Sequence, residues 1–139
     1  LYSKIARWAV IQTQDLIKKK GIGADAESMK NFRKNASTHL ERPVLDNVAH
    51  FSDYHYLSMY RDLLFHVQEY NYDLTEIKKI LEDLKFKFVS FFINPTVLDA
   101  YGKKYPNDLE RTNLDNWHQF ETENKDTFRQ MYMFWCQRE

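Results

Sequence analysis

The 139-residue chain has little of the punctuation that usually organises a domain: one cysteine, three prolines and three glycines. With Cys136 alone, no intramolecular disulfide can form and a zinc-thiolate cluster is excluded, which points to a reducing, cytoplasmic setting. Net charge is also missing. Twenty basic residues balance twenty acidic ones, so there is no electrostatic reason to expect a nucleic acid or an anionic membrane as partner. No apolar run approaches the ~20 residues of a membrane helix. The start is not a signal peptide either, because Lys4 and Arg7 interrupt its apolar residues and Lys18, Lys19 and Lys20 follow. Leu1 opens the chain with no initiator Met and no linker, as expected of a piece cut from something longer.

What is present is an apolar and aromatic load: 43% hydrophobic residues, with Phe, Trp and Tyr together at 16%. That is too high for a disordered chain and sufficient for one domain. Ile5, Trp8, Ala9 and Leu16 share a face at helical spacing, and the spacing predicts a helix over 4–20 closed by Gly21. Met29, Phe32, Ala36 and Leu40 form a second stripe, closed by Pro43. Asp53 is placed to cap a third helix bearing Leu57, Tyr60 and Leu64. The stretch 66–72, polar and aromatic, reads as a loop or a short extended segment. Asp73 and Glu76 fit a capping box ahead of Leu74, Ile77, Leu81 and Leu84.

From Phe86 the period becomes two, with apolar residues on both faces, which predicts a strand over 86–93 covered on both sides. Asn94 and Pro95 begin a helix carrying Leu98, Tyr101 and Tyr105. Leu114, Trp117 and Phe120 mark another helix, and 131–137 has strand propensity. The expected class is therefore α+β: a single domain, mostly helical, with a small antiparallel sheet of strands near 86–93 and 131–137.

Motifs for chemistry are sparse. Gly21, Gly23 and Ala26 match a dinucleotide fingerprint only formally, since a helix and not a strand precedes them. The five histidines form no i, i+4 pair, so the carboxylates near them (Asp46, Asp53 and Asp62) complete no metal motif, and no metal site is assigned. Cys136, in an apolar strand with no base nearby in sequence, reads as a buried and inert thiol. The run Arg61–Glu69 differs. It sets an Arg, an Asp, a His, a Gln and a Glu around apolar residues just before an irregular segment, where function concentrates. His66 and Glu69 are the candidate catalytic residues, as groups able to take a proton.

That run, followed by Asp73–Ile77, resembles a block of bacterial class I S-adenosylmethionine-dependent methyltransferases often found with tetratricopeptide repeats. So does the stretch Leu114–Asn124 with its continuation through Phe128 to Met131–Gln137, and the opening Leu1–Arg7 is similar to the end of that fold's fifth strand and the helix after it. The resemblance implies the C-terminal part of a Rossmann-like sheet domain, incomplete because the Gly-rich turn and the acidic residue that hold the cofactor are missing. It implies S-adenosylmethionine as cofactor of the intact enzyme, none bound by this portion and no cofactor-binding residue here. It also implies Tyr2, Ser3 and Arg61 on the substrate side with His66 and Glu69. A portion of this kind is expected to be inactive alone and to form a homo-oligomer through an exposed sheet edge or a swapped helix. The other reading is a free-standing helical protein-interaction module without catalytic activity.

Overall fold

The computed structural model describes residues 1–66, 68–129 and 131–138. They form two compact units, one of Leu1–Arg7 with Tyr70–Glu139 and one of Trp8–Glu69. The class is mixed α+β and mostly helical, with one small antiparallel sheet.

In the Trp8–Glu69 unit, helix α1 (Trp8–Lys20) ends in a turn that satisfies its last carbonyls. Gly21 takes φ +64°, its N–H donates to Lys18 O, and Ile22 N–H donates to Ile17 O. Only glycine adopts that backbone without strain, so Gly21 closes a helix here. Residues 4–7 are a turn, so the helix begins later than the apolar stripe predicts. Asp25 caps α2 (Ala26–Lys34) by accepting from Ser28 N–H at 2.9 Å.

The second stripe is split between α2 and the short α3 (Ala36–His39). Pro43, expected as a stop, instead opens a further helix α4 (Arg42–Ala49). A proline lacks only the N–H that a first-turn residue leaves unpaired anyway. Asp53 lies in a 3-10 turn, Ser52–Tyr54, and does not cap α5 (Leu57–Leu64). Val10, Phe32, Val48, Tyr60 and Leu64 close the core of this unit.

In the other unit, strand β1 (Tyr2–Ser3) pairs in parallel with β2 (Asn71–Tyr72). Asp73 caps α6 (Leu74–Asp83) with the full reciprocal box: it accepts from Glu76 N–H at 2.9 Å while Glu76 accepts from Asp73 N–H at 2.9 Å. Strand β3 (Phe86–Phe91) leads through Asn94, whose side chain accepts from Thr96 N–H at 2.9 Å, into α7 (Pro95–Lys104). Then come α8 (Leu114–Glu123) and β4 (Phe134–Arg138). The antiparallel pairing of β3 with β4 is the one the period-two pattern predicts, in the register Phe91 with Phe134 and Phe88 with Cys136.

Two details of that sheet depart from expectation. A bulge between Phe88 and Ser90 interrupts the alternation, so Phe88 and Phe91 are both buried while Phe92 is 70% exposed. One extra residue in a strand reverses the face of everything after it. Lys87, Val89 and Phe92 consequently face outward on an open side, where burial on both faces was expected. Cys136 is likewise exposed and not enclosed. The core of this unit is aromatic. Trp117 and Tyr101 stack at 3.7 Å between centroids, and Phe91 meets Trp117 edge-on at 5.2 Å.

Candidate functional site

The polar centre of the first unit is built around a carboxylate on the apolar stripe of α8. Glu121 follows Leu114 and Trp117 at helical spacing, and that places it fully inside. Both of its oxygens are used. Ser3 Oγ donates to Oε1, and Tyr132 OH donates to Oε2 at 2.7 Å. Ser3 Oγ also accepts from Ala6 N–H at 3.0 Å, which ties the turn after β1 to the same centre. Ser3, Glu121 and Tyr132 are all buried. Burial pushes the Glu121 carboxyl above the ordinary glutamate value, with the charge of Asp73 adding to it. The bonds from Ser3 and Tyr132 and the nearby His118 oppose the rise. Burial and the Glu121 charge push the Tyr132 phenol up in turn.

This centre positions the start of the chain. Leu1 and Tyr132 exchange backbone hydrogen bonds, Tyr132 N–H to Leu1 O at 2.7 Å and the Leu1 amino group to Tyr132 O at 3.3 Å. Lys4 N–H donates to Tyr72 O at 2.9 Å, and the Lys4 ammonium meets the Glu76 carboxylate at 2.5 Å. Tyr2 is held beside Asn71, with the Arg7 guanidinium 4.2 Å from its ring centroid. A carboxylate with no exposure cannot touch a substrate, so Glu121 is a positioning residue for Ser3 and, through β1, for Tyr2.

No protein-family model matches the chain. No curated protein matches it either.

The five residues singled out from the sequence fall in two groups. Tyr2 and Ser3 lie on β1 of the first unit, and Arg61, His66 and Glu69 lie in the second. Arg61 is exposed in the last turn of α5, where a cation favours the negative end of the helix dipole. His66 is exposed just beyond that helix, and its Nδ1 accepts from Gln68 N–H at 3.2 Å. Glu69 is half-buried. Val67, inside the same motif, lies outside the described residues. Among the described residues no group of three or more His, Cys, Asp or Glu could hold a metal ion, and no helix is long and apolar enough to cross a membrane.

Sequence reasoning missed Glu121 and Tyr132. The signal for Glu121 was available: a charged residue within an apolar helical stripe is almost never buried unless paired. Its two partners lie 118 and 11 positions away. The more distant one sits on a different element, and no local pattern could name it.

Proposed function

We propose that this chain is the C-terminal, substrate-side portion of a class I S-adenosylmethionine-dependent methyltransferase, and that it transfers nothing alone. One observation carries the reading. The stretch leading into β4 pairs antiparallel with Leu1 on one edge, and β4 pairs antiparallel with β3 on the other. Leu1 and β3 therefore point the same way, with a reversed strand between them. Such an arrangement suits the end of a larger mixed, Rossmann-like sheet, and it agrees with the resemblance of the runs 1–7, 61–77 and 114–137.

The residues present do not fit the cofactor. Gly21 ends a helix with φ +64° and Asp25 caps the next one, so no glycine turn runs from a strand into a helix N-terminus to receive a nucleotide. The chain's own part is to hold the methyl acceptor. The candidates lie in separate units: Tyr2 on β1, held in place by the buried Ser3, and, in the other unit, Arg61 for orientation with His66 or Glu69 as the group that takes the acceptor's proton. The setting proposed is cytoplasmic, with no nucleic acid and no membrane as partner.

Calorimetric titration of the 139-residue chain with S-adenosylmethionine and with S-adenosylhomocysteine tests this division of labour. The expected result is no binding of either, and micromolar affinity for one of them overturns it. The codons upstream of Leu1 supply the second test: a strand followed by a Gly-x-Gly turn is expected, and a stop codon or an unrelated domain there removes the reading. A non-catalytic interaction module is the alternative, favoured by the open apolar side of the β3–β4 sheet.

A further inference from the structure

We infer that the cavity between α7 and the turn that follows it binds a small monocarboxylic acid with an apolar body, its carboxylate received by Arg111. The residues that line this cavity are not those assigned to the methyl acceptor, and the site stands whether or not the chain serves methyl transfer.

The cavity measures about 350 Å³, within the roughly 300–1,000 Å³ of small-molecule sites. Arg111 is half-buried in its wall, and its guanidinium makes no hydrogen bond or ion pair among the described residues. Arg33, also half-buried, donates to the carbonyls of Tyr54 and His55. Withdrawing a guanidinium from water favours giving it an acceptor, and Arg111 has none among the described residues.

Two carboxylates share the wall, and neither neutralises Arg111. Asp108 is committed inward. Its Oδ2 accepts from the Tyr101 hydroxyl at 2.5 Å and from Asn113 N–H at 3.1 Å, and its Oδ1 accepts from Thr112 N–H at 3.2 Å. Asp99 is exposed, and no ion pair joins it to Arg111 among the described residues.

The backbone fixes the guanidinium in this place. Arg111 takes φ +56°, a left-handed conformation unfavourable to a residue with a Cβ. Its N–H donates to Asp108 O at 3.0 Å, and its carbonyl accepts from the Trp117 indole at 2.8 Å. Strain of this kind persists where the surroundings over-determine it, and it gathers at binding sites. Gly102 on α7 leaves the room: a Cβ there would lie 3.3 Å from Nη2 of Arg111 and 3.5 Å from Nε. A glycine within a helix costs stability, and here its missing Cβ lets the helix and the guanidinium approach.

The lining selects the class of ligand. Arg111 and the exposed Lys103 stand against Asp99 and Asp108. A single negative charge on a planar carboxylate suits the guanidinium fork, whereas a doubly charged phosphate sets its second charge against the two acids. The Tyr105 ring and Pro106 give the apolar body a wall, and Leu109, 87% exposed, is left for it to cover.

Heteronuclear NMR of the 139-residue chain reads the Arg111 Nε–H and the Trp117 indole N–H. Isocaproate is expected to shift both saturably with a Kd of about 1 mM, a modest efficiency for a ligand of that size. Isocaproamide, which lacks the charge, and inorganic phosphate are each expected to bind at least about tenfold more weakly. Arg111→Gln, read at the indole, should weaken isocaproate at least about tenfold. Gly102→Ala keeps the guanidinium but crowds it. Affinity should fall at least about threefold while the thermal midpoint is unchanged or higher, because alanine is favoured over glycine within a helix.

Absence of saturable shifts overturns the proposal, and so does an amide or a phosphate that binds as well as isocaproate. Unchanged affinity in either variant overturns it too. If Arg111→Gln fails to fold, Gly102→Ala and the amide comparison still decide.

Discussion

Ser3 donates its hydroxyl to the carboxylate of Glu121, 118 positions further along the chain, and that oxygen's neighbour receives the phenol of Tyr132. One buried side chain thus holds the first strand and the segment before the last one. Glu121→Ala leaves both hydroxyls without an acceptor, and each buried orphan costs about 1–3 kcal/mol. Glu121→Gln retains the shape and one strong acceptor, so its loss should be smaller. Urea unfolding of the two variants measures the difference. A double-mutant cycle with Ser3→Ala should return a coupling of at least about 0.5 kcal/mol. A coupling of zero removes the link between strand and helix.

The same unit carries carboxylates displaced in opposite directions, so its stability should fall at both ends of the pH range. Glu121 is raised by burial, so its contribution is complete below the ordinary value of 4.5 and fades as pH rises through its folded-state value. Asp73 is desolvated, yet the bonds from Thr75 and Glu76 hold it below 3.8. Glu76 is lowered chiefly by Lys4 and the Asp73 N–H. Their contributions are complete above those ordinary values and are lost as pH falls through the folded ones. Glu121→Gln should therefore flatten the high-pH limb alone, while Asp73→Asn, which keeps the capping oxygen, should flatten the acid limb; Asp73→Ala should in addition cost about 0.5–2 kcal/mol of capping at neutral pH. Thermal unfolding at stepped pH checks both signs.

Local chemistry was legible, and encounters between distant elements were not. The capping box at Asp73, the Asn94–Pro95 start of α7 and the Gly21 stop follow from neighbours within a few residues, and sequence alone names them. Pro43 was ambiguous, because a proline ends one helix or begins the next depending on what the chain does before it. The bulge at Val89 is invisible in a run of aromatics that keeps its alternation on paper, and it decides which of Phe91 and Phe92 is buried. The centre at Glu121 needed β1, α8 and the segment before β4 to meet. Tyr2 and Ser3 could be singled out, but not the group that holds them.

Trp117 should dominate the stability of the aromatic core. It is fully buried, stacks on Tyr101, and donates its indole N–H to Arg111 O at 2.8 Å. Arg111 has φ +56°, a strained backbone for a residue with a Cβ. That indole bond helps to hold the turn between α7 and α8. Trp117→Ala should cost about 3–5 kcal/mol, and Trp117→Phe should recover much of the burial while losing the bond to the turn. Arg111→Gly, which relieves the backbone, should lessen the cost of Trp117→Phe. Additive effects in denaturant melts would show that the indole does not steady this turn.

The role proposed for His66 separates function from folding. Its ring is exposed, and its one described bond is to the nearby Gln68 N–H, so His66→Ala should change the stability of the chain by no more than about 0.5 kcal/mol. In the intact polypeptide, loss of the group that takes the acceptor's proton should lower turnover by roughly 10²–10⁴-fold. The pH–rate profile tells base from scaffold: removing a base abolishes one limb of the profile, whereas a structural change lowers the curve and keeps its shape. Glu69→Gln, read the same way, assigns the limb between the two. If both variants keep turnover and profile, neither residue is the base, and the substrate-side assignment falls back on Tyr2 and Arg61.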